Sequence, residues 1–351
     1  MTVSRPAVAS AALTMGALAV AHWVWQKWRR QQSSSIAEIA QEVRELLEKR
    51  HPKTVPGITD ELYELPPFIP KAVWSRLGDA LRDSEFPTMQ RIPGERVITL
   101  RLDGSGFSKL TKRLSSGGVF STGYSQEFAT LMRECCQSLM AKFSAACGYT
   151  QSDEMTIIIS AASVVRGEQQ CHSHGGRVVK LCTLAAAHVT ALFNFRLQAL
   201  FASKGLEMTD HCLANFDCRL GSFSTMEEAM SLVLWRAADC GVNGVSDAVY
   251  KSKLPSAKST TRLGTSDKLQ WLAENGLLPL QPHQAYGSYF VKVRRMHEGF
   301  NPKTGETTQS LRSTVEEVPG NLLRLAAQRS LFPVDDVEVA EPAEGRPDAS
   351  D

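Results

Sequence analysis

Apolar and polar positions along the chain fall into a small number of periodic segments. Ile36 to Lys49 spaces its apolar residues as one face of a short amphipathic helix, and Gln126 to Cys147 repeats at helical spacing until Gly148 ends it. Val178 to Ala202 reads as a long helix rich in Ala, Leu and Phe. Met226 to Cys240 reads as another, capped by Ser224 and carrying Glu227 in its first turn. Shorter helices are expected at Val245 to Lys251 and Asp267 to Asn275. Strand patterns occupy Val97 to Leu102, Met155 to Ile159, Phe216 to Phe223 and Tyr286 to Arg295. Strands interleaved with helices in this order predict an α+β sheet with helices on one face. No internal repeat is visible.

Breaks in the pattern divide the chain. Residues 1–35 hold a mostly apolar run, Pro6 to Trp25, followed at once by Lys27, Arg29 and Arg30. Its length suits a membrane anchor, and the lack of acidic residues before Glu38 suits a mitochondrial presequence. A buried core helix is a third reading. The expected address is therefore mitochondrial or membrane-anchored, with the cytoplasm as the alternative. Residues 36–72 combine the amphipathic helix with a Pro-rich linker, 73–333 form the folded domain, and 334–351 form an acidic tail expected to be disordered.

Composition changes this picture little. With 351 residues, 43% hydrophobic and 22% charged, the chain has the make-up of a globular protein with a substantial core. The formal charge of +2 is uneven: Val334 to Asp351 carries seven acidic residues and one Arg, which leaves about +8 on the rest, compatible with an anionic partner. The eight cysteines show no paired spacing, so neither a disulfide framework nor a zinc ribbon is indicated, and free thiols suit a reducing compartment. The cluster Cys171 to His174 lacks a second ligand pair and reads as a polar loop.

Two acidic knots stand against dry strands. Asp103 and Gly104 leave the end of Val97 to Leu102, and Gln151-Ser152-Asp153-Glu154 runs directly into Met155 to Ile159. Two unrelated turns would explain them, because Ser and Asp satisfy local backbone groups. A crossover would set the strands side by side. If they are antiparallel neighbours, both carboxylates meet at one edge, where like charges need a cation between them. Oxygen ligands with no His or Cys nearby select Mg²⁺, and Gly104 lets its carbonyl approach a ligand closely. Ions held there could activate an attacking hydroxyl and stabilise a leaving phosphate oxygen.

The blocks Arg101 to Leu114, Gly148 to Ile159 and Phe216 to Gly244, with Trp235 to Cys240 the most specific fragment, resemble the signature of the tRNA-histidine guanylyltransferase family and its wider "like" branch. The resemblance spans about Arg96 to Arg295. It implies a palm-like α+β domain with a ferredoxin-like antiparallel sheet. It also implies 3′-to-5′ addition of G or another nucleotide to the 5′ end of tRNA, after that end is activated by a nucleoside triphosphate. Carried over by position, Asp103, the Gly104 carbonyl and Asp153 would hold two Mg²⁺ ions. Asp103, Gly104, Ser105, Gly106, Phe107 and Ser108, together with Ser152 and Asp153, would contact GTP or ATP. Glu154 would stand beside the metals in a supporting role. The implied partners are tRNA, nucleoside triphosphates, further copies of the chain in a tetramer, and a membrane through the N-terminal segment.

The chain departs from the family where an Arg and a His are usual: Ser105 and Ser108 stand there, and Gly241-Val242-Asn243-Gly244 keeps only Asn243 of a His-Ile-Asn-Asn stretch. Histidine-tRNA specificity does not follow. Action on other RNA 5′ ends in repair or editing, or a weakened paralogue that binds tRNA without catalysis, fits as well; a palm-type nucleotide cyclase is a third reading. Trp235 reads as core rather than a base-stacking platform, and Arg236 and Asp239 as a structural pair or as site-orienting groups. Lys251, Lys253, Lys258 and Arg262 form a solvated loop or a phosphate-tracking surface, and Lys109, Lys112 and Arg113 follow the nucleotide loop.

Overall fold

The computed structural model describes residues 35–49, 55–59, 69–86, 91–300, 305 and 307–331. The apolar run Pro6 to Trp25, most of the Pro-rich linker and the acidic tail lie outside the described residues. Helices α1 (Ile36–Lys49) and α2 (Lys71–Asp83) are followed by β1 (Glu85–Phe86), β2 (Val97–Gly104), α3 (Phe107–Ser116), α4 (Gln126–Phe143), β3 (Cys147–Gln151) and β4 (Glu154–Ile159). A small hairpin of β5 (Val164–Val165) and β6 (Glu168–Gln169) leads to α5 (Val178–Ser203), β7 (Phe216–Phe223) and α6 (Met226–Lys251). Then come α7 (Thr265–Glu274), α8 (Pro282–Tyr286), β8 (Ser288–Phe300), β9 (Thr307–Val318) and α9 (Leu322–Ala327).

Among the described residues the main sheet has seven strands in the order β1-β7-β2-β4-β3-β8-β9, and every recorded pair is antiparallel. The α+β class and the antiparallel sheet are as expected. The placement of helices on one face is not. Ile98, Leu100 and Leu102 of β2, with Met155 and Ile157 of β4, pack under α3, α4 and α5. The alternate residues Val97, Ile158 and Phe223 pack with α1, α2, α6 and α9. Side chains alternate across a strand, so the central strands bury both faces. That is why Val97 to Leu102 shows so little polar alternation.

Several boundaries differ from the sequence reading, among them β2, which runs on to Gly104, and β8, which runs from Ser288 to Phe300. Ile39, Val43 and Leu47 of α1 are buried in the second core, so that core reaches back to Ile36 instead of starting near Val73. Helix α4 stops at Phe143 because Ser144 turns left-handed (φ 51°), its N–H bonding the Ala141 and Met140 carbonyls; the freed chain opens β3. The cap of α6 is Thr225 rather than Ser224: its hydroxyl accepts from the Glu228 N–H at 3.2 Å, and Glu228 reaches back to the Ser224 N–H at 2.8 Å. Helix α6 also runs unbroken through Gly241 and Gly244. A Cβ on Gly244 would lie 2.1 Å from the Gln284 carbonyl, so that glycine allows α8 to approach closely and does not end the helix.

Helix α5 is long and apolar enough to cross a bilayer. Here its stripe Leu181, Ala185, Val189, Phe193 and Leu197 is buried on the sheet. The predicted polar loop at Cys171 to His174 contains a buried His172, whose ring Nε2–H donates to the Arg96 carbonyl at 2.8 Å.

Candidate active site

The site forms where β2 ends beside the β3–β4 hairpin. Antiparallel pairing sets Asp103 opposite Glu154, and the Gly104 N–H donates to the Asp153 carbonyl at 3.0 Å. Asp153 and Ser152 make the two-residue turn between Gln151 and Glu154, with Ser152 left-handed (φ 48°) and its hydroxyl donating to Asp153 Oδ1 at 3.0 Å. The second knot is a tight turn, whereas Asp103 and Gly104 are still the paired end of β2, and the sheet brings that end beside the turn. Burial pushes the Asp153 carboxyl above its ordinary range, and the Asp103 charge pushes it the same way, against its own backbone N–H and the Ser152 hydroxyl.

Glu154 has a different environment. It is buried, and Arg236 of α6 grips it with two parallel bonds, Nε to Oε1 at 2.5 Å and Nη2 to Oε2 at 2.7 Å. Burial raises the Glu154 carboxyl, opposed by the charges of Arg236 and Arg101. Burial also works against the Arg236 charge, but Glu154 outweighs it and the guanidinium is held charged. Arg236 further reaches Asp239 at 3.2 Å, and Asp239 accepts from Asn243 at 3.0 Å. Trp235 packs against the core and lies beneath two guanidiniums, Arg236 at 4.9 Å and Arg101 at 5.9 Å from its ring centre. It is a core residue as expected, and Arg236 is the group that orients the acidic turn.

The nucleotide loop is partly corrected. Gly104 must be glycine, since a Cβ there would lie 2.3 Å from the Phe107 ring. That ring is the reason Phe107 cannot contact a ligand by its side chain: it is buried among Phe128, Phe193 and Phe216, at centroid distances of 6.0, 5.5 and 4.9 Å. Only its backbone remains at the rim. Helix α3 begins there, with Gly106 as a left-handed N-cap that makes no side-chain bond and with no acid in the first turn. Its first amides are the kind of donors that favour anions. Ser105, Gly106 and Ser108 are exposed on this rim, as are Lys109 and Lys112, and the Ser105 N–H is engaged by the Asn215 carbonyl at 2.8 Å. Arg113 is bonded to the His211 carbonyl.

Asp217 of β7 was missed. It lies opposite Asp103 on the other side of β2, more than half exposed, with Arg219 at 3.9 Å. The alternation of Phe216 to Phe223 could have placed it, but the pairing of β7 with β2 could not be read from it. Although Asp217, Asp103 and Glu154 share one level across three strands, no group of three or more His, Cys, Asp or Glu side chains among the described residues could hold a metal together. Two adjacent carboxylates that repel each other, with only oxygen donors around them, do fit a hard divalent cation. Glu154 does not serve as a third carboxylate, because Arg236 occupies it.

Residues 79–224 match the family model Thg1, tRNAHis guanylyltransferase. This segment, 146 of the 351 residues, is similar to the tRNAHis guanylyltransferase family. An uncharacterized protein of Acanthamoeba polyphaga mimivirus is 27% identical over 212 residues, 57% of this chain and 70% of that one. The tRNA(His) guanylyltransferase of Schizosaccharomyces pombe is 25% identical over 169 residues, 47% of this chain and 58% of that enzyme. Among solved structures, a bacterial tRNA(His) guanylyltransferase-like protein in complex with ATP aligns with a TM-score of 0.48 at 21% identity, covering 69% of this chain and 90% of that one. The tRNA(His) guanylyltransferase of Saccharomyces cerevisiae gives 0.47 at 20% identity, covering 58% and 89%. The matched segment contains both Asp103 and Asp153 and ends at Ser224, so Arg236, which secures Glu154, lies beyond it.

Proposed function

We propose that the chain is a 3′-to-5′ nucleotidyltransferase that adds G or another nucleotide to the 5′ end of tRNA after a nucleoside triphosphate has activated that end. One observation carries this reading: the sheet brings Asp103 and Asp153 together within the family segment, beside the uncapped start of α3. Asp103, the Gly104 carbonyl and Asp153 are the groups that would hold Mg²⁺, in the two-ion arrangement that the family resemblance implies. The metal would supply charge neutralisation at phosphate and a more acidic attacking hydroxyl. The chain's own contributions are positional. Gly104, packed on Phe107, fixes the angle at which β2 hands over to α3, so that the first amides of α3 face a triphosphate supplied as GTP or ATP. Lys109 and Lys112 add positive charge along the path of an RNA end. Arg236 braces Glu154 and thereby the neighbouring Asp153.

The test is incubation of tRNA transcripts bearing 5′-monophosphate or 5′-triphosphate with each labelled nucleotide and Mg²⁺. A product one nucleotide longer at the 5′ end is expected; absence of extension and of any activated 5′ adduct with every nucleotide would overturn the reading. A tRNA-binding module without catalysis is favoured by Ser105 and Ser108 and by the engagement of Glu154, and it predicts binding with neither product. The proposed setting is a mitochondrion or another membrane, supported by Pro6 to Trp25 and the cations after it. Alkaline carbonate extraction would leave an anchored chain in the pellet and release a shorter matrix form; a full-length chain wholly in the soluble cytosol refutes both.

A further inference from the structure

Helix α5 packs on the face of the sheet that holds Leu102, and three bonds fix it to the lead into β7. Asn194 exchanges a pair with the Ala214 backbone at 2.9 and 2.8 Å, and the Phe216 N–H donates to the Thr190 hydroxyl at 3.2 Å. Two cysteines meet along this contact. Cys218 of β7 is the register partner of Leu102, so its side chain leaves the sheet on the side where α5 packs. Cys182, in the second turn of α5, packs against the same core. The Cys218 thiol donates to the Cys182 sulfur, with the Arg219 carbonyl, 3.9 Å away, as the alternative acceptor for that hydrogen. The bond draws Cys182 below the ordinary thiol range, against its burial, and holds Cys218 above that range.

All eight cysteines carry free thiols, and most are poor candidates for chemistry. Cys135, Cys147 and Cys240 are buried, and burial pushes each up to about 12, so they stay protonated and out of reach. Cys182 and Cys218 are only half-buried. A sulfur that favours the thiolate, that solvent reaches and that touches a second thiol has the three properties of a peroxide-reactive cysteine beside its resolving partner. A metal fits less well. Among the described residues no third His, Cys, Asp or Glu joins the pair in a group that could hold one.

We infer that Cys182 and Cys218 form a modification site for hydrogen peroxide, in which Cys182 reacts first and Cys218 closes a reversible disulfide. The Cys182 thiolate attacks one peroxide oxygen, and the O–O bond breaks to give a sulfenic acid and hydroxide. That hydroxide takes up the proton Cys182 had released. The Cys218 sulfur then attacks the Cys182 sulfur; the S–O bond breaks, and the hydroxyl leaves as water with the Cys218 proton. Peroxide is thus reduced to water as the two thiols lose two electrons. Sulfurs already in hydrogen-bond contact need only close to a bond length of ~2.05 Å. The bridge ties α5 to β7 one residue from Asp217, which lies opposite Asp103.

The test is peroxide treatment of the reduced full-length chain, followed by digestion without reductant and mass mapping. The peptides that contain Cys182 and Cys218 should be joined, and dithiothreitol should part them. Iodoacetamide should label Cys182 of the untreated chain about tenfold or more faster than Cys135. Cys218→Ser keeps a hydrogen-bond donor but removes the resolving sulfur, so peroxide should leave Cys182 as a sulfenic acid that dimedone captures. Cys182→Ser should give neither bridge nor adduct, and Cys171→Ser should leave the bridge unchanged. Two thiols that stay reduced, a bridge to any other cysteine, or no dimedone adduct at Cys182 in Cys218→Ser would each overturn the inference. Circular dichroism that matches the wild type confirms that each variant is folded when it is assayed.

Discussion

Replacing Arg236 tests how the acidic turn is held. The guanidinium and the Glu154 carboxylate are 13% and 9% exposed and joined by two short bonds, so the pair is shielded from water and salt. At a charge separation of ~4 Å and an effective dielectric of ~20, their attraction is about 4 kcal/mol. Arg236→Ala leaves a buried carboxylate without its partner, and the expected loss is about 3–5 kcal/mol. Glu154→Gln keeps the shape and leaves the guanidinium Asp239 at 3.2 Å, so its loss should be smaller, about 1–3 kcal/mol. The double variant Arg236→Met/Glu154→Met removes both desolvation costs and should recover most of the stability. Urea denaturation of the wild type, Arg236→Met, Glu154→Met and the double variant yields the coupling energy, expected at about 2 kcal/mol or more. Strictly additive losses would refute the argument, leaving Glu154 available to a cation. If Arg236 acts as a positioning residue, Arg236→Lys should lower kcat for nucleotide addition more than it changes KM for the nucleotide.

Three further outcomes follow from particular groups. Asp103→Ala and Asp153→Ala should each nearly abolish nucleotide addition with the fold intact, with Glu154→Ala milder; wild-type turnover by either Asp variant at limiting Mg²⁺ would refute the site. His283 is buried with Nδ1 against Ser288 Oγ at 3.2 Å and Nε2 without a hydrogen-bond partner; burial, reinforced by the Arg133 charge, pushes it down to about 4. The unfolded chain thus binds the proton first, so stability is fully present above pH ~6.5 and is lost as pH falls toward 4. At pH 5 this loss is about 2 kcal/mol relative to His283→Leu, and parallel curves for the two proteins would contradict it. Replacing Lys251, Lys253 and Lys258 together with Ala should flatten the dependence of log tRNA affinity on log salt; an unchanged slope would show that this stretch, where Lys251 already pairs with Asp247 at 2.9 Å, faces only water.

The sequence by itself determined the main helices and strands, because apolar spacing is a local property that survives in the fold: Ile36 to Lys49 and Phe216 to Phe223 match their observed limits. It also marked Asp103 and Asp153, since bare carboxylates beside dry strands are costly unless something uses them. It could not show that the helices cover both faces, because a strand buried on two sides and one buried on one side differ only in a few polar positions such as Thr99. Nor could it separate a glycine that ends a helix from one that admits a neighbour, as at Gly244, where the reason is a carbonyl on another element. The partner of Glu154 was decided in the same way. Adjacent to Asp153 in sequence, it reads as a third metal-side acid. Alternation along β4 turns its side chain toward α6, and Arg236, 82 residues away, takes it. Pairing across such distances depends on which surfaces pack together, and only the tertiary structure contains that information.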